Sequence, residues 1–103
     1  MDRIGALKSM LEQDSGNSFA RYGLAMEYMK SSRWEEAVAE FRTLIVSNPD
    51  YAAAYYQGGK ALEQLQQLEE ARAMYREGIA VTTRTGDAHT RSELQAALEF
   101  CGG

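Results

Sequence analysis

The sequence contains only one cysteine, one histidine and one proline among 103 residues. A single cysteine excludes an intramolecular disulfide, and together with one histidine it falls short of the ligands of a structural zinc site. Apolar runs long enough to span a bilayer are also missing, and residues 1–16 contain no apolar stretch typical of a signal peptide. We therefore expect a cytoplasmic protein without a metal or other cofactor.

Basic residues are in deficit as well. The 11 Lys and Arg residues are outnumbered by 15 Asp and Glu residues, which gives a formal net charge of -4. This sign disfavours a surface that binds the phosphates of a nucleic acid. The hydrophobic share of 45% is sufficient for a modest core, and the length suits one domain. We expect a single folded domain over residues 1–103 that binds neither nucleic acid nor a membrane.

The chain repeats itself with a period of 34 residues. When residues 18–51 are placed on residues 52–85, eight positions carry the same residue. The identical pairs are Ala20/Ala54, Tyr22/Tyr56, Glu35/Glu69, Glu36/Glu70, Ala37/Ala71, Ala39/Ala73, Arg42/Arg76 and Ile45/Ile79. A fixed period of this length is typical of an array of stacked supersecondary units.

The apolar spacing inside each unit is helical, because large and small apolar residues recur at intervals of three and four. Polar residues 31–33 separate two such segments, and Pro49 ends the unit because proline cannot continue a helix. The same register extends to both ends of the chain. We predict six antiparallel helices at residues 3–13, 17–31, 34–47, 51–65, 68–83 and 87–100. Residues 18–51 and 52–85 are then two full repeats, between an N-terminal helix at 3–13 and a C-terminal capping helix at 87–100.

This unit resembles the tetratricopeptide repeat family, whose unit is also a 34-residue helix–turn–helix. The resemblance lies in small residues at Ala25 and Gly59 and in large residues at Tyr28 and Leu62, and it covers about residues 3–100. It implies an all-α fold, a right-handed superhelical solenoid whose first helices line a concave groove for a protein or peptide partner. Gly58 departs from the family pattern, so we expect the second repeat to be less stable and the substitution Gly58→Leu to raise the melting temperature.

Catalytic motifs are missing from the sequence, which has no phosphate-binding loop, zinc-ligand helix or nucleophile elbow. His89 reads as a solvated residue at a helix start, and Cys101 reads as a partly buried small apolar residue. We therefore expect a non-catalytic protein, with neither catalytic residues nor metal ligands.

The groove side of the first helices is the candidate functional site. Its predicted residues are Phe19, Tyr22, Met26, Met29, Lys30, Tyr56, Gln57, Lys60 and Arg91. Methionine and tyrosine suit adaptable recognition of apolar surface, and the cations would orient an acidic flank of the ligand. We expect a protein-binding scaffold that holds an apolar or amphipathic peptide or helix. The alternative is self-association through the same apolar face, as a homodimer or a larger assembly.

The resemblance does not extend to the family's clamp for the acidic tails of chaperones. That clamp needs lysine and asparagine where this chain has Tyr22 and Met26, and a further lysine where it has Asp87. Arg91 matches the clamp, and Gln57 offers an amide in place of asparagine. The sequence therefore disfavours a chaperone-tail receptor.

Overall fold

The computed structural model describes residues 2–103, so Met1, the first residue of the predicted domain, lies outside it. The described residues form six helices and no strand. The helices are α1 (Arg3–Gln13), α2 (Ser18–Lys30), α3 (Trp34–Ser47), α4 (Ala52–Gln64), α5 (Leu68–Thr85) and α6 (Ala88–Phe100). The predicted all-α fold is confirmed, and every predicted helix end lies within two residues of the observed one.

The helices pack as successive hairpins, since each helix contacts the next one along the chain. We call α2, α4 and α6 the A helices, and α1, α3 and α5 the B helices. Buried alanines at the crossings let the backbones approach closely, and the larger core side chains fill the space between hairpins. The buried alanines are Ala20, Ala25, Ala37, Ala54, Ala61, Ala71 and Ala97, and the fully buried large side chains are Phe41, Leu44, Leu62, Tyr75 and Leu94.

The three A helices end in the same turn. In each turn one residue has left-handed backbone geometry, and the amide of the following residue donates a hydrogen bond five residues back, as in a Schellman motif. The left-handed residues are Ser32 (φ 57°), Gln66 (φ 61°) and Gly102 (φ 90°). The hydrogen bonds run from the amides of Arg33, Gln67 and Gly103 to the carbonyls of Tyr28, Leu62 and Leu98, at 2.8, 2.9 and 2.9 Å. The chain therefore forms the same turn at the end of each A helix.

The end of the second repeat differs from the prediction because it has no proline. Pro49 lies two residues after the last residue of α3, whereas Thr83, which takes its place in repeat 2, remains inside α5. Helix α5 therefore has 18 residues against 14 in α3, and its last residue is Thr85 rather than residue 83, with Gly86 at φ 80° as the cap. The N-cap of α6, Asp87, comes 36 residues after the N-cap of α4, Tyr51, instead of 34. Residues of α6 are thus displaced by two from the register of the repeat.

The adjacent glycines of α4 are both buried, and neither faces empty space. A Cβ atom on Gly59 would lie 2.1 Å from Cε1 of Tyr75, so this glycine is required for the close approach of the ring. A Cβ atom on Gly58 would lie 3.3 Å from Cε of Met74 and 3.5 Å from Cβ of Phe41. Met74 thus fills the space that leucine would need, and the structure reverses the expectation that Gly58→Leu raises the melting temperature.

Candidate functional site

Four apolar side chains follow one face of α2. Phe19, Tyr22, Met26 and Met29 are spaced by three, four and three residues, so they form one line along the helix, which we call the α2 stripe. Phe19 is 73% exposed. The other three side chains are half-buried and pack against the edge of the core. The core therefore holds the inner side of the stripe in place, and the outer side is accessible to a ligand.

The ring of Tyr22 is held by two other aromatic rings. Its centroid lies 5.9 Å from that of Phe41 on α3 and 5.2 Å from that of Tyr51, just before α4. Burial raises the pKa of Tyr22 above its ordinary value, and the nearby Tyr51 phenol adds to the effect. Tyr22 is thus a rigid aromatic anchor at the junction of the first two hairpins.

The equivalent line on α4 is more polar. The residues 34 positions after the α2 stripe are Ala53, Tyr56, Lys60 and Glu63. The ammonium of Lys60 lies 5.4 Å from the centroid of the Tyr56 ring, within range of a cation–π contact. Lys60 forms no ion pair with any residue in the 2–103 range. Beyond the apolar α2 stripe, the face thus offers a half-buried cation.

Glu63 is a polar residue of the α4 line that the sequence reasoning missed. The hydroxyl of Tyr75 on α5 donates a hydrogen bond to its carboxylate. Burial, followed by the bond to Glu63 and the charge of Glu63, raises the pKa of Tyr75 far above its ordinary value. Two features of the sequence could have indicated this residue. Glu63 takes the place of Met29 in the second repeat, and Tyr75, which takes the place of Phe41, adds a hydroxyl that can donate a hydrogen bond to it. The bond fixes a carboxylate near Lys60.

Lys30 lies at the end of the α2 stripe. Its side chain is mostly exposed, and its ammonium lies 3.7 Å from the carboxylate of Glu27. Glu27 also accepts a hydrogen bond from Arg3 of α1 at 2.9 Å. Lys30 is therefore partly neutralised, whereas Lys60 is not.

Gln57 lies beside the line of Tyr56 and Lys60 rather than on it. It follows Tyr56 by one residue and so points about 100° away around α4. Its repeat partner is Gly23, where a Cβ atom would lie 3.3 Å from Leu7 of the preceding hairpin. By this equivalence, the half-buried Gln57 faces the preceding hairpin.

Arg91 is separated from the other predicted groove residues. It is the fourth residue after the N-cap of α6, as Arg21 and Tyr55 are in α2 and α4. Arg21 pairs with Glu40 of α3, and Tyr55 packs against α5, so this position faces a B helix. The stripe on α6 consists instead of His89, Ser92, Ala96 and Glu99. The sequence reasoning missed these residues because it did not include the two-residue displacement.

Among the described residues, no cluster of three or more His, Cys, Asp or Glu side chains could hold a metal ion. The imidazole of His89 lies 3.8 Å from the Glu93 carboxylate on an exposed surface. Cys101 is a free, half-buried thiol. Within residues 2–103, no helix has both the length and the apolarity to cross a membrane.

Comparison with known proteins gives a family and a fold. A family model described as tetratricopeptide repeat matches residues 22–88. A TPR repeat-containing protein of Pseudomonas aeruginosa is 27% identical over 95 residues, which cover 92% of this chain and 90% of that protein.

Solved structures are similar over most of the chain. The crystal structure of a tetratricopeptide repeat domain protein from Salinibacter ruber has a TM-score of 0.78 at 37% identity, covering 84% of this chain and 97% of that chain. The TPR2B domain of yeast Sti1, in a complex with pHsp70, has a TM-score of 0.89 at 14% identity, with 96% of this chain and 79% of that chain covered. The likeness to the Sti1 domain shows the fold alone.

Proposed function

The chain belongs to the tetratricopeptide repeat family, and we propose that it is a non-catalytic protein-interaction module whose groove binds an apolar or amphipathic segment of a partner protein. The α2 stripe is the observation that carries this proposal. It places four large apolar side chains in one line, of which Phe19 is 73% exposed and the other three are half-buried, and apolar surface that stays accessible in this way often marks a contact site. An amphipathic ligand helix would place its own apolar residues, spaced by three and four, against the stripe.

The residues of the stripe suit a ligand of variable shape. Tyr22 is held by Phe41 and Tyr51 and offers a rigid anchor. The thioethers of Met26 and Met29 adapt to different apolar partners. Phe19, at the start of α2, extends the contact area. A rigid aromatic anchor beside adaptable methionines is a suitable composition for a binding hot spot.

Lys60 is the cation that we propose to orient the ligand. It is half-buried over the Tyr56 ring and has no ion-pair partner in residues 2–103. A carboxylate that follows the apolar part of the ligand would reach it from the α2 stripe. The position of Arg91 favours no such role for that residue, and Lys30 is already paired with Glu27.

The similar Sti1 domain is in a complex with pHsp70. The residues of this chain do not favour the family's clamp for acidic chaperone tails. The displaced register of α6 puts His89 and Glu93 where the repeat period had put Asp87 and Arg91. The clamp positions then carry Tyr22, Met26, Gln57, His89 and Glu93. Lysine and arginine are absent from this set, so an apolar segment fits the groove better than an acidic tail.

The test uses two exposed apolar residues on opposite sides of the hairpins. Phe19→Glu on the A side and Val46→Glu on the B side replace a 73% and an 83% exposed side chain by the same charge. Peptides selected against the protein from a random display library serve as the ligand. We expect Phe19→Glu to weaken their binding at least tenfold, because about 1.5 kcal/mol or more of apolar burial is lost. Among the selected peptides, we expect those that Phe19→Glu weakens to bind the Val46→Glu variant as tightly as the parent.

Two results contradict the proposal. The first is a selected peptide set whose affinity is unaffected by Phe19→Glu and by Tyr22→Glu, with helicity retained in both variants. The second is a sedimentation coefficient that rises with concentration in the parent and not in Phe19→Glu, which would assign the stripe to self-association instead.

A further inference from the structure

A furrow runs between α3 and α5 on the side of the B helices, away from the α2 stripe. It contains two adjoining cavities of about 180 and 240 Å³, and Arg42, Met74 and Glu77 line both of them. Ile45 and Val46 line the larger cavity. We call this region, defined by these five residues, the B-side furrow.

The floor of the B-side furrow is apolar and its mouth is open. Met74 is only 4% exposed and forms the floor, whereas Val46 is 83% exposed at the rim. The cavity of about 240 Å³ is smaller than the roughly 300–1,000 Å³ of a typical small-molecule site. A space of this size suits one large side chain of another protein.

A furrow with a polar lining lies at the equivalent place one repeat earlier, between α1 and α3. A shift by 34 residues places Glu12 at the position of Val46 and Glu40 at that of Met74. The cavity there is lined by Glu12 and Glu40, and Glu40 pairs with Arg21 at 2.7 Å. The apolar character of the B-side furrow is therefore not a consequence of the repeat architecture. It results from Val46 and Met74, which take the places of Glu12 and Glu40.

The rim of the B-side furrow is acidic. Arg42 lies 3.5 Å from the carboxylate of Glu70, which neutralises that pair. Glu77 has no ion-pair partner among residues 2–103, and Thr43 replaces it in the first hairpin. An unpaired carboxylate beside an apolar cavity is complementary to an apolar side chain followed by a cation.

We propose that the B-side furrow is a second docking surface, which takes a large apolar side chain of a partner protein and pairs a lysine or arginine one helical turn away with Glu77. The two contacts are separate from the groove, so the chain can hold two segments on opposite sides. Charge complementarity selects the occupant, because an acidic segment would meet Glu77 and the protein's net charge of -4.

The experiment uses a capped, alanine-rich helical peptide of about 16 residues as the probe, long enough to form a helix in part. It carries one leucine and, four residues later, one lysine. Two matched peptides replace the lysine by glutamate or the leucine by serine. Methyl chemical shifts of the parent protein are followed at low salt. We expect saturable shifts at Ile45, Val46 and Met74 with the leucine–lysine peptide, and much weaker shifts with both control peptides.

Protein variants separate the two contacts. We expect Val46→Glu to weaken binding about tenfold through lost apolar burial. We expect Glu77→Thr, which copies Thr43, to weaken it about threefold at low salt and to have no effect at high salt. Phe19→Glu leaves the binding unchanged, so failure of the groove proposal does not affect this result.

Three outcomes would overturn the proposal. The glutamate peptide could shift the same methyls as strongly as the lysine peptide does. The shifts could fall on Met26 and Met29 of the groove instead of Met74. The methyls of the B-side furrow could also show no saturable shift at millimolar peptide. Each outcome removes the apolar contact, the charge selection or both.

Discussion

The two full repeats build one backbone arrangement from different side chains. In repeat 1 the position facing the B helix carries Arg21, whose guanidinium lies 2.7 Å from the Glu40 carboxylate, and the two side chains are 17% and 21% exposed. In repeat 2 the equivalent residues are Tyr55 and Met74, both buried. The hydroxyl of Tyr55 donates to the carbonyl of Pro49 at 2.6 Å. An ion pair in repeat 1 is thus replaced at the equivalent positions of repeat 2 by two buried, uncharged side chains.

The size of neighbouring residues changes in a compensating way. Repeat 1 has Leu24 on its A helix, whereas repeat 2 has Gly58, and Met74 fills the space above this glycine. One turn further along the B helices, Leu44 is replaced by Gly78, where a Cβ atom would lie 2.7 Å from Cβ of Tyr55 and 2.9 Å from Cδ1 of Leu94. The comparison teaches that the repeat conserves the filled volume of each junction rather than its residues.

The largest expected effect concerns the end of repeat 2. Thr83→Pro copies the residue that ends repeat 1, but position 83 lies inside α5. Proline there removes a helical hydrogen bond and its ring meets the carbonyl of Ile79, so we expect the free energy of unfolding to fall by about 3 kcal/mol. Denaturant unfolding measures the change. Thr83→Ala, the control, stays within about 0.5 kcal/mol of the parent at this exposed site. A stable Thr83→Pro variant would show that α5 can end as early as α3 does.

The next effect distinguishes the two glycines of α4. Gly59→Ala places a methyl group against the buried ring of Tyr75, and we expect it to lower the free energy of unfolding by about 2 kcal/mol through overpacking. Gly58→Ala places a methyl group against the flexible end of Met74 and improves helix propensity, so we expect a change of less than about 1 kcal/mol, in the stabilising direction. Equal effects of the two substitutions would contradict the assigned packing.

The smallest expected effect concerns the buried aromatic residue that is Phe41 in repeat 1 and Tyr75 in repeat 2. Burial raises the pKa of Tyr75, so the folded protein keeps a proton that the unfolded chain releases near pH 10. The resulting stability is fully present below about pH 10 and falls as the pH rises further. We expect denaturant unfolding to show this fall in the parent and a shallower fall in Tyr75→Phe. An equally steep fall in the variant would place the alkaline sensitivity elsewhere, for example at Tyr22 or Tyr55, whose pKa burial also raises.

The fold could be predicted from the sequence because its signals are local and repeated. The 34-residue period, the three-and-four spacing and Pro49 located every helix to within two residues. The end of α5 was wrong because no proline marks it, and Gly86, which does end the helix, acts through a left-handed conformation. One missing proline thus changed the register of everything after it.

The candidate site could be predicted only in part. The members of the α2 stripe share one helix, so spacing alone brings them together. The predicted position of Arg91 depended on the register of α6, and this helix begins two residues later than the 34-residue period indicates. Glu63 and Met74 depended on contacts between helices, the bond from Tyr75 and the space above Gly58, and such contacts are not encoded in the spacing along one chain segment. The roles of the site residues stay predictions, which the binding experiments with Phe19→Glu and Tyr22→Glu test.

The recurring left-handed turn has a use in protein engineering. At Ser32 and Gln66 it redirects the backbone into α3 and α5, and at Gly102 it has the same hydrogen bonds with no further helix after it among the described residues. A helical tag or sensor domain joined directly to Gly103 would therefore leave the protein in the orientation of a next B helix, as a rigid extension rather than a flexible tether. Replacing the joint by a longer glycine–serine linker would discard that built-in alignment.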